Sequence, residues 1–227
     1  ELDGKGTVVE SIQSEGEPLK TLLDNSILKV FLNNALLPND SVIINISFNS
    51  YFDAGTQRRR MKFFDVWGNK HFDGVHWYPR IAVYDRKFGW ETDQHMEKEF
   101  YGDFGTYDVE LTFSSNYIVE ATGELQNENE VLPRVLRNKL DISNFKNKPM
   151  FSEPSIITPY DSTKHKTWKY HAINVHDFAF TADPTYRISE TICKPNGYIG
   201  KGISVIAIAQ ESVAARWQNA SQYTAEV

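Results

Sequence analysis

The chain has one cysteine in 227 residues, Cys193, so it can form no internal disulfide, and the thiolate ligands of a structural zinc site are missing. Basic residues are also scarce: 24 Lys and Arg stand against 30 Asp and Glu, for a formal net charge of -6. That balance supplies no broad cationic face, which argues against nucleic acid as a partner. Long apolar runs are absent as well. The longest, ISVIAIA from Ile203 to Ala209, falls far short of the roughly 20 residues of a membrane helix, so no membrane span is expected. The chain opens at Glu1 with neither a basic n-region nor an apolar h-region. Any targeting segment is therefore expected to have been removed or to lie outside this sequence.

What the chain does have is hydrophobic residues at 41%, with 14 Phe, 11 Tyr and 5 Trp, enough to bury a sizeable core. In TYDVELTFS, Tyr107, Val109, Leu111 and Phe113 alternate with Asp108, Glu110 and Thr112, the signature of a strand buried on one face. Similar β-branched or aromatic runs occur in GTVVESI, SILKVFL, SVIINISF, YIVEAT, TWKYHAI and YIGKGISVIAIA, separated by the turn-forming SEGEP, LPND and KPNG. Many short strands and few helical patterns predict an all-β chain built as an antiparallel sandwich.

Two stretches depart from the pattern. Between Gln126 and Lys166 the sequence turns polar, except that Leu132, Leu136 and Leu140 recur at helical spacing around Pro133, which suits a first helical turn. This predicts a surface insertion with one short helix. At the end of the chain, Val213, Trp217 and Ala220 mark one face of a helix for which Ser212 is available as cap. No stop signal follows, so the helix is expected to be truncated and the chain to be a fragment: a sandwich domain over 1-210, and over 211-227 the start of a further domain.

Candidate metal ligands are poorly spaced. His71 and His76, like His171 and His176, lie five apart and so on opposite faces of a strand, while His165 and His171 share a face about 20 Å apart. HMEKE, from His95 to Glu99, comes nearest to a zinc-protease motif, but Met96 stands in place of the base and Glu99 in place of the second histidine. These histidines are read as ordinary surface or sheet residues, with no metal site and no cofactor in this chain. GYIGKG lacks Walker spacing and reads as a hairpin turn. Cys193 has no histidine close in sequence and reads as a half-buried spectator.

The segment HWYPRIAVYDRKFGWETDQH, His76 to His95, fits neither period. Trp77, Tyr78, Tyr84 and Trp90 can bury large area while keeping polar tips, and Arg80 with Asp85 can form a charge-assisted pair. Such a set suits a seam bordering a cleft; the competing reading is that the rings simply fill the core. Proline at position 79 predicts an edge or crossover rather than a central strand.

Taken in order, WYPRIAVYDRKFGWETD, EFYGDFGTYDVELTFSSNYIVEATGEL and KYHAINVHDFAFTADPTYRI resemble the amino-terminal β domain of family M1 zinc metallopeptidases, the aminopeptidase N and leukotriene A4 hydrolase family. The likeness is to its bacterial branch with a Trp-Tyr-Pro-Arg motif, and runs from the LKVFLNNALLPNDSVIINISF hairpin region to DFAF. Pro79 and Asp85 match the family's Phe-Pro-Cys-x-Asp-Glu-Pro stretch, whose cysteine and Glu-Pro end are unmatched. The resemblance implies a saddle-shaped sandwich that is noncatalytic by itself, packs on the catalytic domain of the same chain and shapes its peptide cleft. Trp77, Tyr78, Arg80, Tyr84 and Asp85 would line the cleft or domain interface. Zinc and peptide substrate would belong to the parent hydrolase, a metalloaminopeptidase in the periplasm or secreted. The alternative is a freestanding β-sandwich module binding carbohydrate or protein.

Overall fold

The computed structural model describes residues 6-54, 60-92 and 101-227. The first strands are β1 (Thr7–Ser14), β2 (Glu17–Pro18), β3 (Lys20–Asp24), β4 (Ile27–Phe31), β5 (Asn45–Ser50), β6 (Asp53–Ala54), β7 (Lys62–Val66) and β8 (Asn69–Gly74). A small hairpin, β9 (Tyr84–Asp85) and β10 (Gly89–Trp90), precedes β11 (Gly105–Ser114), β12 (Ile118–Ala121) and β13 (Glu124–Leu125). The helices α1 (Glu128–Val131) and α2 (Arg134–Leu140) lead to β14 (His165–Val175), β15 (Phe180–Asp183), β16 (Tyr186–Cys193), β17 (Ile203–Gln210) and α3 (Ala220–Glu226).

The chain is mostly strand, in several antiparallel sheets. A five-stranded sheet ordered β12-β15-β8-β7-β6 forms the central layer. Its rows alternate between faces, as the pleat requires. Val119, Ala182, Phe72 and Phe63 lie opposite one another and form one row. That row faces the β11-β14-β13 sheet, where Leu111 lies opposite Trp168 and Val109 opposite Tyr170. Trp168, Val119 and Ala182 are fully buried in the shared core, and the Phe72 and Phe180 rings meet Phe113 at 6.2 and 5.9 Å. Gly74 makes room for this packing, since a Cβ there would lie 2.3 Å from Phe180 Cε1. The opposite row, Ile118, Asp183, His71 and Phe64, is covered by the β16–β17 hairpin: the Tyr186 ring packs on His71 at 5.7 Å and Gln210 donates to Asp183 at 2.7 Å.

Strand β11 has the expected alternation, with Tyr107, Val109, Leu111 and Phe113 inward. The antiparallel pairing expected holds through the main sheets, with a two-residue parallel pair, β6–β7, at the edge of the central one. Other expectations are corrected. The 28-48 region is not a hairpin: β4 pairs with β3 and β5 with β1. The insertion holds two short helices and a 3-10 turn, Ile142–Phe145, with Pro133 at the cap of α2 rather than within its first turn. The last segment is also two elements, a 3-10 helix Glu211–Arg216 and α3, separated at Trp217–Asn219. Ser212 lies inside the first of them and does not cap it; Val213 packs beside Ala209 and Ile142, while Trp217 is exposed. Helix α3 rests on the β16–β17 hairpin, with Ser221 buried and bonded to Thr191 at 2.9 Å.

Candidate functional site

Leaving β8 at Gly74, the chain cannot continue a ladder through Pro79, and residues 75-83 run as a loop up to the β9–β10 hairpin. His76 takes a left-handed conformation at φ 54°, which is costly for a non-glycine residue and turns the loop back over the sandwich. Trp77 is clamped at both ends: its indole N–H donates to the Phe178 carbonyl at 3.2 Å, and its own carbonyl accepts from Ser50 Oγ at 2.5 Å. Its ring meets Phe180 and Tyr78 edge-on at 5.4 and 5.3 Å.

The polar groups of this loop converge on Asp177, in the short connection between β14 and β15. The Tyr78 hydroxyl donates to Asp177 Oδ1 at 2.7 Å and lies 3.1 Å from the Tyr107 hydroxyl. The Phe178 N–H donates to the same oxygen at 2.7 Å. His76 Nε2 lies 3.2 Å and Arg80 Nη1 4.0 Å from Oδ2, and Arg80 also approaches the His176 carbonyl at 3.4 Å. Burial, then the bonds to Tyr107 and Asp177, raises the pKa of the Tyr78 phenol far above its ordinary value. Gly102 closes the cluster from the β11 side: a Cβ there would lie 2.8 Å from His176 Nε2 and 3.0 Å from Arg80 Cζ. Three segments distant in sequence, around 76-80, 102-107 and 176-178, thus meet at one carboxylate.

The expected partnership of Arg80 with Asp85 is corrected by this arrangement. Arg80 pairs with Asp177. Asp85 instead shapes the β9–β10 turn: Oδ1 accepts the N–H groups of Lys87 and Phe88 at 2.8 and 2.7 Å, and Oδ2 accepts the Tyr101 hydroxyl. The bond from Tyr101 and then those from the backbone depress the pKa of Asp85. Gly89 supplies the left-handed residue that closes the turn, at φ 70°.

The five candidate residues therefore divide. Trp77, Tyr78 and Arg80 form a half-buried clamp against the core, while Tyr84 and Asp85 belong to an exposed hairpin. The Tyr84 and Trp90 rings meet at 5.1 Å, and Ile81, Phe88 and Phe104 are also exposed, at 64 to 73% of their surface. The hairpin and its neighbours thus leave a group of large apolar side chains exposed to water. Asp177 was missed by sequence reasoning; its available signal was its place in the HDFAF run beside a short β connection. HMEKE lies outside the described residues.

The central sheet and the β16–β17 hairpin region over it carry further titratable groups that no motif announced. His71, at 2% exposure, lies 3.0 Å from both Asp183 and Asp73. Burial lowers the pKa of its imidazole, but the bonds to Asp183 and Asp73 outweigh it and raise it to about 9. Arg187 and Glu211, both fully buried, form an ion pair extended by Lys148 and by the Ser155 N–H and hydroxyl. Glu120 on β12 has its pKa pushed up to about 7, chiefly by burial. Among the described residues no group of three or more His, Cys, Asp or Glu side chains is placed to hold a metal ion, and no helix is long and apolar enough to cross a membrane.

Comparison with known proteins adds a fold likeness. The solved structures that resemble the chain include M1 zinc metallopeptidases. An M1 zinc metallopeptidase from Deinococcus radiodurans is 12% identical with a TM-score of 0.47, over 93% of this chain and 41% of that one. Its E323A mutant, bound to a Tyr-Ser-Ala substrate, is 12% identical with a TM-score of 0.46, over 89% and 37%. A two-domain M1 zinc metallopeptidase E323A mutant bound to L-tryptophan is 10% identical, with a TM-score of 0.45 and the same coverage. The chain spans about two fifths of the length of these proteins. No protein-family model and no curated protein matches it.

Proposed function

We propose that this chain is the noncatalytic amino-terminal β-sandwich of an M1-like zinc aminopeptidase, working in the periplasm or secreted. In this reading residues 1-210 form the sandwich and 211-227 open the catalytic domain. The clamp around Asp177 holds the 76-90 loop so that Tyr84 and its neighbours meet that domain and border the peptide cleft. The observation that carries the proposal is the convergence at Asp177. The ordered motifs of the resemblance, around Trp77–Arg80, Gly102–Tyr107 and His176–Phe178, pack against one another and hold an aromatic hairpin outward. In this reading zinc and the peptide-cleaving groups belong to the other domain.

The test begins with the reading frame beyond the codon for Val227, which should encode His-Glu-x-x-His with a downstream glutamate. A stop codon there, together with saturable binding of an oligosaccharide to the Tyr84–Trp90 face, would replace the proposal with a freestanding binding module. The purified 227-residue chain should release no amino acid from aminoacyl nitroanilides. Aminopeptidase turnover by this chain alone would overturn the noncatalytic role.

A further inference from the structure

On the central sheet, Glu120, Thr181 and Asp73 lie directly opposite one another across β12, β15 and β8. Their side chains therefore share one face, with the outer two about 10 Å apart at the backbone. This is the row next to the one covered by Tyr186 and Gln210. The hairpin's cover reaches Thr181 through the Tyr186 hydroxyl, at 2.5 Å. Beyond it an open groove of about 500 Å³ remains, with Val75 and Ala179 as its apolar lining and Glu120, Thr181 and Asp73 as its polar groups; Ala121 and Phe180 also border it, but their side chains turn to the core face. That volume lies within the range of small-ligand sites, which combine apolar walls with a few placed polar groups.

The charges around the groove are unbalanced. Asp73 and Asp183 share the His71 imidazolium. Glu128 on α1 and Glu190 on β16 both pair with Arg137 of α2, so that guanidinium is already occupied. Lys62, next along the row beside Asp73, pairs with Asp53. Lys166 on β14 is directed to the Val131 carbonyl. Glu120 is half-buried on the edge strand, with no hydrogen bond or ion pair to any described residue. Five carboxylates thus stand against the two cations His71 and Arg137, and Glu120 is desolvated with only the charge of Arg137, shared with Glu128 and Glu190, to offset it. The consequence is a carboxyl group that retains its proton up to about pH 7 and would gain from any cation brought to it.

We propose that this groove binds a primary ammonium or guanidinium group on a short aliphatic stem. The cation would be held by Glu120, with Asp73 and Thr181 behind it, and the stem would lie against Val75 and Ala179. A lysine or arginine side chain of a peptide and a free aliphatic amine share this chemistry. The site is separate from the Asp177 clamp and does not depend on the role proposed for it.

Calorimetric titration of the 227-residue chain with pentylamine and with pentanol at pH 8 tests the proposal. Pentylamine should bind saturably and at least tenfold more tightly than pentanol. At pH 5.5, where Glu120 is protonated, its affinity should fall about tenfold or more. Glu120→Gln should remove that preference and its pH dependence, whereas Glu124→Gln on β13 should keep both. In the wild-type chain the carboxyl carbon of Glu120, followed by NMR, should titrate at lower pH when pentylamine is bound, a readout that needs no variant to fold. Equal binding of amine and alcohol, unchanged affinity in Glu120→Gln, an unmoved Glu120 titration, or no binding at all would each overturn the proposal. A lysine-containing peptide competing with pentylamine would mark a peptide side chain as the natural source; competition by free alkylamines alone would mark a small amine.

Discussion

Asp177 accepts the Tyr78 hydroxyl at 2.7 Å across 99 positions of sequence, and this bond joins a loop that cannot be a strand to the core that supports it. The same carboxylate faces His76 and Arg80. Replacing Asp177 with Ala should remove the carboxylate that accepts the half-buried Tyr78 phenol and faces Arg80, and destabilise the chain by about 2 kcal/mol. Denaturant unfolding followed by tryptophan fluorescence would register both the lost stability and the changed surroundings of Trp77. Stability within a few tenths of a kcal/mol of wild type would remove Asp177 from its central place.

Asp85 shapes an exposed turn rather than the core, so Asp85→Asn should hardly change the melting temperature of this chain. In the full-length M1-like enzyme proposed above, the same substitution should lower activity or weaken domain packing. Asp108→Asn, on the solvent face of β11 and bonded to His171 at 2.6 Å, should do neither. Kinetics and melting temperatures of both variants decide the matter; matching negligible effects would refute the cleft role of the hairpin.

The pH dependence of stability should have two components. His71 has a raised pKa, so its contribution is complete below its ordinary value near 6.5 and is lost as pH rises through about 9, by about 3 kcal/mol. Glu120 is also raised. Its protonated form favours the fold, so stability present below pH 4.5 is lost as pH rises toward 7. Glu120→Gln should therefore stabilise the chain by about 2 kcal/mol at pH 8 and leave it little changed at pH 4.5. Unfolding free energies of wild type and variant across pH 4 to 10 would show both; parallel curves would contradict the Glu120 assignment.

Gly74→Ala should cost about 1–3 kcal/mol, because the new methyl would enter the Phe180 ring. Gly197→Ala tests the contrast: its Cβ meets nothing within 4 Å, though its φ of 80° still disfavours a side chain. The core position should be the more damaging of the two in thermal unfolding.

Glu211→Gln should remove the charge that balances buried Arg187 and cost about 3–5 kcal/mol. Hydrogen exchange should then quicken from residue 211 onward, because that ion pair fastens the 3-10 helix Glu211–Arg216 to β16. Unchanged protection there would show that α3 and its contact with Thr191 hold the segment by themselves.

The alternation of Tyr107, Val109, Leu111 and Phe113 determined β11 by itself, because a period of two leaves only one apolar face to bury. Pro79 likewise determined that the HWYPR segment could not be a central strand, since it has no N–H for the ladder. The helical recurrence of Leu132, Leu136 and Leu140 marked the insertion, but not its division into α1 and α2. Pairing across the sheets was not local information. That β5 joins β1 and not β4, or that Glu120 and Asp73 flank Thr181, follows from strand order, which adjacent residues do not encode. The choice of Asp177 over Asp85 for Arg80 was decided the same way. Both carboxylates can hold a guanidinium, and sequence proximity favoured Asp85; the β9–β10 turn engages Asp85 with its own N–H groups, while the fold brings Asp177 to Arg80 from 97 residues away.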